Sequence, residues 1–580
     1  MSAARDRLGG TQGATASPRA ARRAARRSAS ALPSASALVG QLERSRRSFD
    51  AAAVAATSTA LEDLSRLDAV PPQLLRRLHD VLLFIAAHPP DAQVHDRAER
   101  ELARIAAHVG RLGRRGEALV ENSGLPGSTL ATTFSLALTG RLTARHADDI
   151  ALLSVDGDHD FVMAALATAL DPMEQEALSE EALPWSLWLA RYAGSEARRR
   201  LHWLVRIAAA TPASAPLRES MFAACRVFVR WRLRGAATLA TGRIGRAPLF
   251  FHTALERVPA LRARDLAAPV TRVAMSKRER AALTATAQDV LATLLRETDP
   301  ITYAATAETE RHDLGRGLQI ALFFMQPGHK LALETYACYL LFKNGIPVAY
   351  GGGWSLGPQC RFGVNVLPPF RGGESTLLVA ALLRVYAQRF AARVFAVEPY
   401  QIGKGNADGI RSASFWFYYR LGFRPVQEEL AALAAREHAR LASGTRTAVP
   451  LLRALAESLL VFRIDPRDRW SYVAPAALGL AVTRHVETRY AGDRELARRS
   501  ALSALARSLP RGARLPPGLA GWALLLDAGG GTAGWSADDI RALVGLARRK
   551  PIAEADFACR LEDHTRLMGL IRSLAARRAV

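Results

Sequence analysis

The stretch of sequence that decides the fold runs from Val364 to Phe423. It reads VNVLPPFRGGESTLLVAALLRVYAQRFAARVFAVEPYQIGKGNADGIRSASFWFYYRLGF. Alternating apolar residues at its start predict a β-strand. The strand ends at Pro368, and a short loop that contains Gly372 and Gly373 follows it.

A helix and a second strand continue this unit. Apolar residues at three- and four-residue steps from Leu378 to Val385 predict the helix, and the apolar run Val394–Val397 predicts the strand. A strand-helix-strand crossover of this kind is almost always right-handed, so we expect the two strands to lie side by side and parallel. The amides of the loop and of the first helical turn then point to one place, and such an arrangement binds anions.

An aromatic helix from Ala413 to Arg420 follows, and Leu421-Gly422-Phe423 closes it. This order of elements resembles the central part of the GNAT acetyltransferase superfamily. The resemblance covers residues 331–464, less than a quarter of the chain. The chain also resembles long, arginine-rich bacterial proteins with helical ends around such a centre, a likeness that supplies no activity.

The resemblance implies acetyl-CoA or another acyl-CoA as co-substrate. In the superfamily the loop after the fourth strand cradles the pyrophosphate, and the fifth strand splays away so that the pantetheine arm pairs with the fourth. A tyrosine four residues before a Gly-Phe pair acts as the acid for the leaving thiolate, and here that residue would be Tyr418. The implied cofactor-binding residues are Val366, Leu367, Phe370, Arg371, Gly372, Gly373, Glu374 and Ser375.

Two features depart from the superfamily pattern. Glu374 and Thr376 occupy loop positions where the superfamily has small residues, and a carboxylate facing the pyrophosphate repels it. We expect Glu374 either to pair with Arg371 or Arg361 or to point away. The superfamily also places two helices between its first and second strands, whereas here a tight turn stands at 326–329. The flanking helical regions are therefore expected to frame the acceptor.

Three further candidates come from the loop after the second strand of the crossover. Acyl transfer to an amine needs a base that takes the amine proton, and Glu398 at the end of that strand is the candidate. The long polar loop that follows supplies Tyr400, Gln401 and Asn406 as candidates for the substrate side. Tyr418 has a second interpretation as a packed core aromatic.

A run of glycines, Gly351-Gly352-Gly353, follows a predicted strand. Glycines in a strand either form a bulge or allow a backbone or ligand to approach closely. The bulge is the interpretation that we favour. Asn344-Gly345, just before this strand, predicts a tight β-hairpin.

The composition describes an ordinary globular chain with a strong basic excess. The 580 residues are 49% apolar, and 78 Lys and Arg against 54 Asp and Glu give a net charge of +24. No run reaches the ~18 apolar residues that a membrane helix needs. The charge has two explanations, a codon bias and a polyanion partner such as RNA or an anionic membrane surface reached through a basic tail.

The positions of cysteine and histidine indicate the redox compartment and whether a metal site is expected. The four cysteines lie far apart in the sequence, which predicts a reducing compartment with no disulfide framework and no zinc site. His438 and His485 have no companions at ligand spacing, so no metal site is predicted. We expect a cytoplasmic protein.

The predicted fold class is α+β, with a central mixed, mainly antiparallel GNAT-like sheet flanked by N- and C-terminal all-helical regions. The expected division is a disordered basic tail (1–36), a helical domain (37–245), a linker and a helix that pack on the central domain (246–300), the GNAT-like domain (301–464) and a C-terminal helical domain (465–580). Capping signals mark helix starts after Asp91 and Ser276.

Three functions fit these features. The first is transfer of an acyl group from acyl-CoA to an unidentified small-molecule or peptide amine. The second is a transferase of the same fold that uses aminoacyl-tRNA, as the Fem-type transferases do. The third is a non-catalytic scaffold that retains the fold. Glu374 separates them, because bound CoA requires its carboxylate to be turned away or neutralised.

Overall fold

The computed structural model describes residues 33–180, 184–244, 248–510 and 514–576. Of the predicted tail (residues 1–36), residues 1–32 lie outside the described part of the chain. The first helix begins at Ala35, where the Ser34 side chain accepts a hydrogen bond from the amide of Ala37. None of the described helices is long and apolar enough to cross a membrane.

Five helices open the described chain. They are α1 (Ala35–Ser45), α2 (Ala51–Ser65), α3 (Pro72–Ala87), α4 (Ala92–Gly110) and α5 (Arg114–Val120). The predicted N-cap at Asp91 is confirmed, since its carboxylate accepts from the amide of Val94. The buried apolar residues of these helices share one hydrophobic core with the central sheet.

The next part of the chain holds a small sheet. Its strands pair antiparallel in the order β1-β3-β2. The strands are β1 (Thr129–Thr133), β2 (Ile150–Val155) and β3 (Val227–Arg232). The accompanying helices are α6 (Leu136–Arg145), α7 (His159–Ala167), α8 (Pro172–Glu180), α9 (Trp185–Ala193), α10 (Ala197–Ala210) and α11 (Ala215–Cys225).

The expectation of an all-helical N-terminal region is therefore wrong. In β3, Val227, Val229 and Trp231 are buried and alternate with more exposed residues, so the two-residue period of a strand was present in the sequence. The run is short and lies among helical patterns, which hid it. Buried residues from Leu130 to Ala236 form a core of their own, so residues 37–245 divide between two cores.

A linker and three helices lead to the main sheet. The helices are α12 (Ala263–Ala267), α13 (Lys277–Thr293) and α14 (Asp299–Thr302). The predicted capping box is confirmed: the Ser276 side chain accepts from the amide of Glu279, whose carboxylate accepts from the amide of Ser276. The linker amides of His252 and Leu261 donate to Pro89 and Leu421.

Nine strands form the central sheet in the order β11-β12-β10-β9-β8-β7-β6-β5-β4. The strands are β4 (Thr271–Val273), β5 (Glu310–Asp313), β6 (Leu318–Phe324), β7 (Thr335–Lys343), β8 (Ile346–Leu356), β9 (Gln359–Val366), β10 (Val394–Val397), β11 (Arg424–Pro425) and β12 (Leu460–Arg463). Among the strand pairs of the described residues in this sheet, only β9–β10 is parallel. The predicted mixed, mainly antiparallel sheet is confirmed.

Helices cover the sheet. Those within the central domain are α15 (Ser375–Phe390), α16 (Pro399–Ile402), α17 (Ala407–Arg411), α18 (Ser414–Leu421), α19 (Glu428–Leu441) and α20 (Val449–Leu455). The C-terminal helices are α21 (Pro475–Tyr490), α22 (Arg494–Ser508), α23 (Pro517–Ala520), α24 (Ala523–Ala528), α25 (Ala537–Arg549), α26 (Glu554–Leu561) and α27 (Thr565–Ala576). Within 465–510 and 514–576 every regular element is a helix, and these helices share a core with Leu356, Val394 and Ala396 of the sheet.

The predicted hairpin between β7 and β8 is confirmed. Asn344 and Gly345 have φ angles of +46° and +81°, as a type I′ turn requires. The Asn344 side chain accepts from the amide of Phe250 and donates to the carbonyls of Phe250 and Ala87. The turn therefore holds both the linker and the end of α3.

Candidate functional site

Strands β9 and β10 open a gap in the sheet. They pair in parallel only from Gln359 opposite Val394 to Arg361 opposite Ala396. Beyond Arg361, β9 continues to Val366 along β8 with no partner on its other side among the described strands. This leaves an open strand edge, as the resemblance to the GNAT superfamily implies.

Part of the gap is filled by a side chain of α16, the short helix that follows β10 where the sequence predicted a loop. A methyl group added at Gly363 would lie 2.9 Å from Nε2 of Gln401. From the other side, the Tyr339 hydroxyl donates to the carbonyl of Gly363 at 2.8 Å. Gln401, predicted on the substrate side, thus lies against the open strand.

Two arginines meet at the loop that follows β9, one from the loop and one from the N-terminal helices. Arg371 donates from Nε to the carbonyl of Val366 at 3.1 Å, and Arg47, which lies between α1 and α2, donates to the carbonyl of Arg371 at 2.7 Å. Gly372, between them, is exposed and has a φ of +73°. Neither guanidinium is within 4 Å of a carboxylate in the part of the chain that the structure describes.

The inner side of the loop is closed. A methyl group at Gly373 would lie 3.1 Å from the ring of Phe84 in α3, and Phe370 is buried beside the same ring, with 6.4 Å between their centroids. Leu367 is also buried. Anion binding is therefore open only from the outer side, at Arg371 and Gly372.

Glu374 points away from the loop surface. Its side chain is buried, with Oε2 2.8 Å from Nζ of Lys343 and 3.4 Å from Nε2 of His88, and Oε1 accepts from the amide of Glu256 at 3.0 Å. Burial acts to raise the pKa of Glu374, but the ammonium of Lys343 beside the carboxylate outweighs burial and holds the pKa well below its usual range.

Of the expectations for Glu374, pointing away from the loop surface is confirmed and pairing with Arg371 or Arg361 is wrong, because the carboxylate lies against Lys343 and His88 inside the protein. Thr376, two residues further along the chain, accepts from the amide of Val258 at 3.0 Å. These two side chains hold the linker. Ser375, the remaining loop candidate, begins α15 and is half-buried.

Glu398 lies at the end of β10 and is half exposed. Its Oε1 accepts from Arg361 at 2.6 Å. The Arg361 guanidinium also lies over the ring of Trp354, 4.7 Å from its centroid, and 3.7 Å from a carboxylate oxygen of Glu334. The candidate base is therefore accessible and paired with a cation.

Tyr418 lies at the root of the gap. Its ring meets Phe362, the first residue of β9 beyond the β10 pairing, edge-on at 6.2 Å between centroids, and Phe423 at 5.6 Å. The side chain is buried, and burial raises the pKa of Tyr418 above its ordinary value. Its hydroxyl therefore keeps its proton at neutral pH.

The other loop candidates differ in their surroundings. Tyr400 is exposed. Asn406 caps α17 by accepting from the amides of Asp408 and Gly409, and it donates to the carbonyl of Tyr400 at 3.0 Å. Its side chain also lines a surface groove with Arg411 and Arg453. Asn406 shapes the loop and borders a cationic groove.

The glycine run in β8 does not form a bulge. The pairing of β8 with β7 and β9 continues without a register shift through Gly351–Gly353, so the bulge interpretation is wrong. A methyl group at Gly353 would lie 2.2 Å from the ring of Tyr386, and one at Gly351 would lie 2.6 Å from the hydroxyl of Tyr339. The glycines let tyrosine rings cross the strand.

A group of buried titratable residues lies beneath the loop, and the sequence did not predict it. His88, His252 and Glu374 come together with Lys343. The one local feature that the sequence offers here is the pair of prolines after His88. They predict the end of α3 but do not predict a contact with His252 or Glu374. Nothing in the spacing relates His88 to His252.

Comparison with known proteins finds no match for this chain among protein-family models, curated proteins or solved structures.

Proposed function

We propose that the protein is a GNAT-type N-acyltransferase that moves an acyl group from acyl-CoA to an amine. The observation that carries the proposal is the gap between β9 and β10: parallel strands that separate after Arg361 with a glycine loop and the start of α15 at the mouth. An unpaired strand edge offers amides and carbonyls that an extended amide-bearing arm can pair with.

The charges around the loop support a phosphate ligand. Arg371 and Arg47 both lie at the exposed Gly372 without a carboxylate partner among the described residues. The first amides of α15 have no acceptor within the helix, and a helix N-terminus favours an anion. Glu374 does not oppose this, since its charge is buried against Lys343.

The proposed chemistry assigns one role to each side chain. The neutral amine of the acceptor attacks the thioester carbonyl, and Glu398 takes the proton that the nitrogen loses as it is acylated. The carbon–sulfur bond breaks as the new carbon–nitrogen bond forms, and Tyr418, which holds its proton at neutral pH, donates to the leaving thiolate. The accessible Glu398 and the buried Tyr418 suit the solvent side and the thiol side of such a site.

A second candidate is a non-catalytic scaffold. It is favoured by Gln401, which occupies part of the gap at Gly363, and by the ion pair that holds Glu398 against Arg361. An acyl-CoA arm must displace Gln401 to reach the strand edge.

Thermal unfolding of the full chain with acetyl-CoA separates the two candidates. A ligand that binds only the folded state at 100 times its Kd stabilises it by about 2.7 kcal/mol. We expect acetyl-CoA to raise the melting temperature in a concentration-dependent way, and ATP at the same concentration to raise it less. An unchanged melting temperature with acetyl-CoA contradicts acyl-CoA use and leaves the scaffold.

A Gln401→Ala variant sharpens this test. Removing the side chain that fills the gap is expected to increase the shift with acetyl-CoA, because the arm no longer has to displace it. Tyr400→Ala, an exposed neighbour, is the matched control and is expected to leave the shift unchanged.

A further inference from the structure

Three buried side chains from distant parts of the chain meet beneath the loop. His88 follows α3, His252 lies in the linker, and Glu374 immediately precedes α15. One nitrogen or oxygen atom from each lies within 4.8 Å of the others. Their exposed fractions are 4%, 2% and 2%, so the group is shielded from solvent.

The hydrogen bonds outside the group orient two of these residues inward. Nδ1 of His88 donates to the carbonyl of Phe84 at 3.1 Å, which leaves the lone pair of Nε2 facing Oε2 of Glu374 at 3.4 Å. The other oxygen of Glu374 accepts from the amide of Glu256. Histidines and carboxylates that bind metals are held in this way by outer hydrogen bonds.

His252 is the unexplained residue. It is buried, and neither of its ring nitrogens has a hydrogen-bond partner within the described chain. A buried polar atom without a partner is destabilising, and such atoms are rare in folded proteins. Its ring centroid lies 5.1 Å from that of His88. A ligand between the two imidazoles would satisfy it.

We propose that His88, His252 and Glu374 bind a divalent transition-metal ion. Two imidazole nitrogens and one carboxylate oxygen form a donor set typical of Zn²⁺, and they also suit Co²⁺ or Fe²⁺. The side chains must close from their present separation to reach metal–ligand bond lengths. This inference concerns the interior side of the loop and does not depend on acyl-CoA use.

Lys343 is the competitor for the carboxylate. Its Nζ lies 2.8 Å from Oε2 of Glu374 and 5.6 Å from the centroid of the Phe250 ring. A metal ion that binds Oε2 displaces the ammonium from this oxygen. Removing the lysine charge should therefore strengthen metal binding.

The surroundings indicate a structural ion. The ring of Phe84 stacks on His88 at 4.5 Å between centroids, and Phe250 and Phe370 lie close by. Aromatic rings against both imidazoles suit an ion that stabilises the fold. The ion would link the end of α3 and the linker to Glu374, the residue that immediately precedes α15.

Metal content of the full, untagged chain tests this site. We expect inductively coupled plasma mass spectrometry to find about one Zn²⁺ per chain after chelator treatment and reloading with ZnCl₂. Zn²⁺ is expected to raise the melting temperature of the chelator-treated protein, whereas Mg²⁺ is not. A chain that retains no zinc and shows no shift with Zn²⁺ overturns the proposal.

Variants locate the ion. His252→Ala should abolish zinc retention, and His108→Ala, which removes another buried imidazole outside the group, should keep it. Lys343→Met should retain zinc with an affinity at least equal to that of the unaltered chain. Zinc retained by His252→Ala, or lost in Lys343→Met with the fold intact by circular dichroism, contradicts the site. If His252→Ala fails to fold, Lys343→Met and the unaltered chain still decide the question.

Discussion

Glu374 shows how a single residue can depart from a loop pattern while the loop surface stays free. The resemblance to the GNAT superfamily implies a small residue at this position, yet the carboxylate of Glu374 faces Lys343 and His88 inside the protein. Its neighbour Thr376 also turns inward, to the amide of Val258. Both residues anchor the linker rather than line a ligand surface.

The buried pair predicts a large loss of stability when one partner is removed. Glu374→Gln leaves the ammonium of Lys343 uncompensated, so the free energy of unfolding should fall by about 3–5 kcal/mol, measured by urea denaturation with a chelator present. The double variant with Lys343→Met should recover part of the loss. Glu457→Gln, which breaks a half-exposed pair with Lys404, should cost at most about 1 kcal/mol. A similar small loss for Glu374→Gln would show that the pair is not desolvated.

Gly353 is predicted to tolerate no side chain. A methyl group there would lie 2.2 Å from Cε1 of Tyr386, whose hydroxyl donates to the carbonyl of Ala337 at 2.7 Å. Gly353→Ala should destabilise the fold by about 1–3 kcal/mol. Gly479→Ala, in an open position of α21, should stabilise it by about 0.5–1 kcal/mol. Thermal unfolding should show a lower melting temperature for Gly353→Ala and a higher one for Gly479→Ala. Equal changes in melting temperature would contradict the close approach of the Tyr386 ring to Gly353.

At the scale of elements, an ion network ties β5 to the end of α15. Glu310 accepts from both Nε and Nη2 of Arg389, at 2.9 and 2.8 Å, and lies 3.0 Å from Nε2 of His312. Burial acts to raise the pKa of Glu310, but the hydrogen bonds from His312 and Arg389 outweigh it and lower the pKa to about 2. Arg389 also reaches Asp556 of α26.

The lowered pKa of Glu310 predicts how stability depends on pH. The ordinary pKa of this carboxyl is 4.5, so the stabilisation is complete above that value and is lost as the pH falls towards 2. A pKa that differs by one between the folded and unfolded chain corresponds to about 1.4 kcal/mol. Glu310→Gln should therefore be less stable than the unaltered chain at neutral pH, and the difference should shrink below pH 4.5. A difference that stays constant from neutral pH to pH 3, measured by urea denaturation, would contradict the assignment.

The sequence predicts the central elements because their signals are local. The Asn344-Gly345 turn, the Ser276 capping box and the crossover around Gly372 each follow from a few adjacent residues. The strand β3 was missed because its alternation covers only Val227–Arg232 between helical patterns. Short strands depend on partners that are distant in the sequence, so local patterns identify them poorly.

Some residues of the candidate site could likewise be predicted from local patterns and others could not. The positions of Arg371 and Glu398 follow from the strand ends, and the structure places Glu398 and Arg361 within hydrogen-bond reach. The partners of Glu374 could not be predicted, because Lys343 and His88 reach it only through the packing of other elements. The same holds for Gln401 at the gap.

At the scale of the whole molecule, the described chain has three hydrophobic cores. One joins helices α1–α5 with the central sheet, one joins the C-terminal helices with residues of β8, β10 and β12, and one belongs to the region from Leu130 to Ala236. The third core includes little from the rest of the chain. We therefore expect the region around β1–β3 to open as a unit of its own.

Hydrogen exchange followed by mass spectrometry tests this division. Leu204→Ala removes a buried side chain from the third core and should accelerate exchange in residues 129–232 while leaving β6–β9 unchanged. Leu382→Ala, in the core of the central sheet, is the matched variant and should accelerate exchange in β6–β9. Equal acceleration of both regions by Leu204→Ala would show one cooperative unit.

Calorimetric titration of acetyl-CoA into the full chain tests most directly whether the loop at Arg371 holds an acyl-CoA pyrophosphate. The unaltered chain is expected to bind, and Arg371→Ala should weaken the affinity roughly ten- to hundredfold, since a charge-assisted hydrogen bond contributes about 1.5–3 kcal/mol. Arg498→Ala, an exposed arginine of α22, should leave the affinity unchanged. No heat of binding with the unaltered chain, or equal losses for Arg371→Ala and Arg498→Ala, would contradict an acyl-CoA site at this loop.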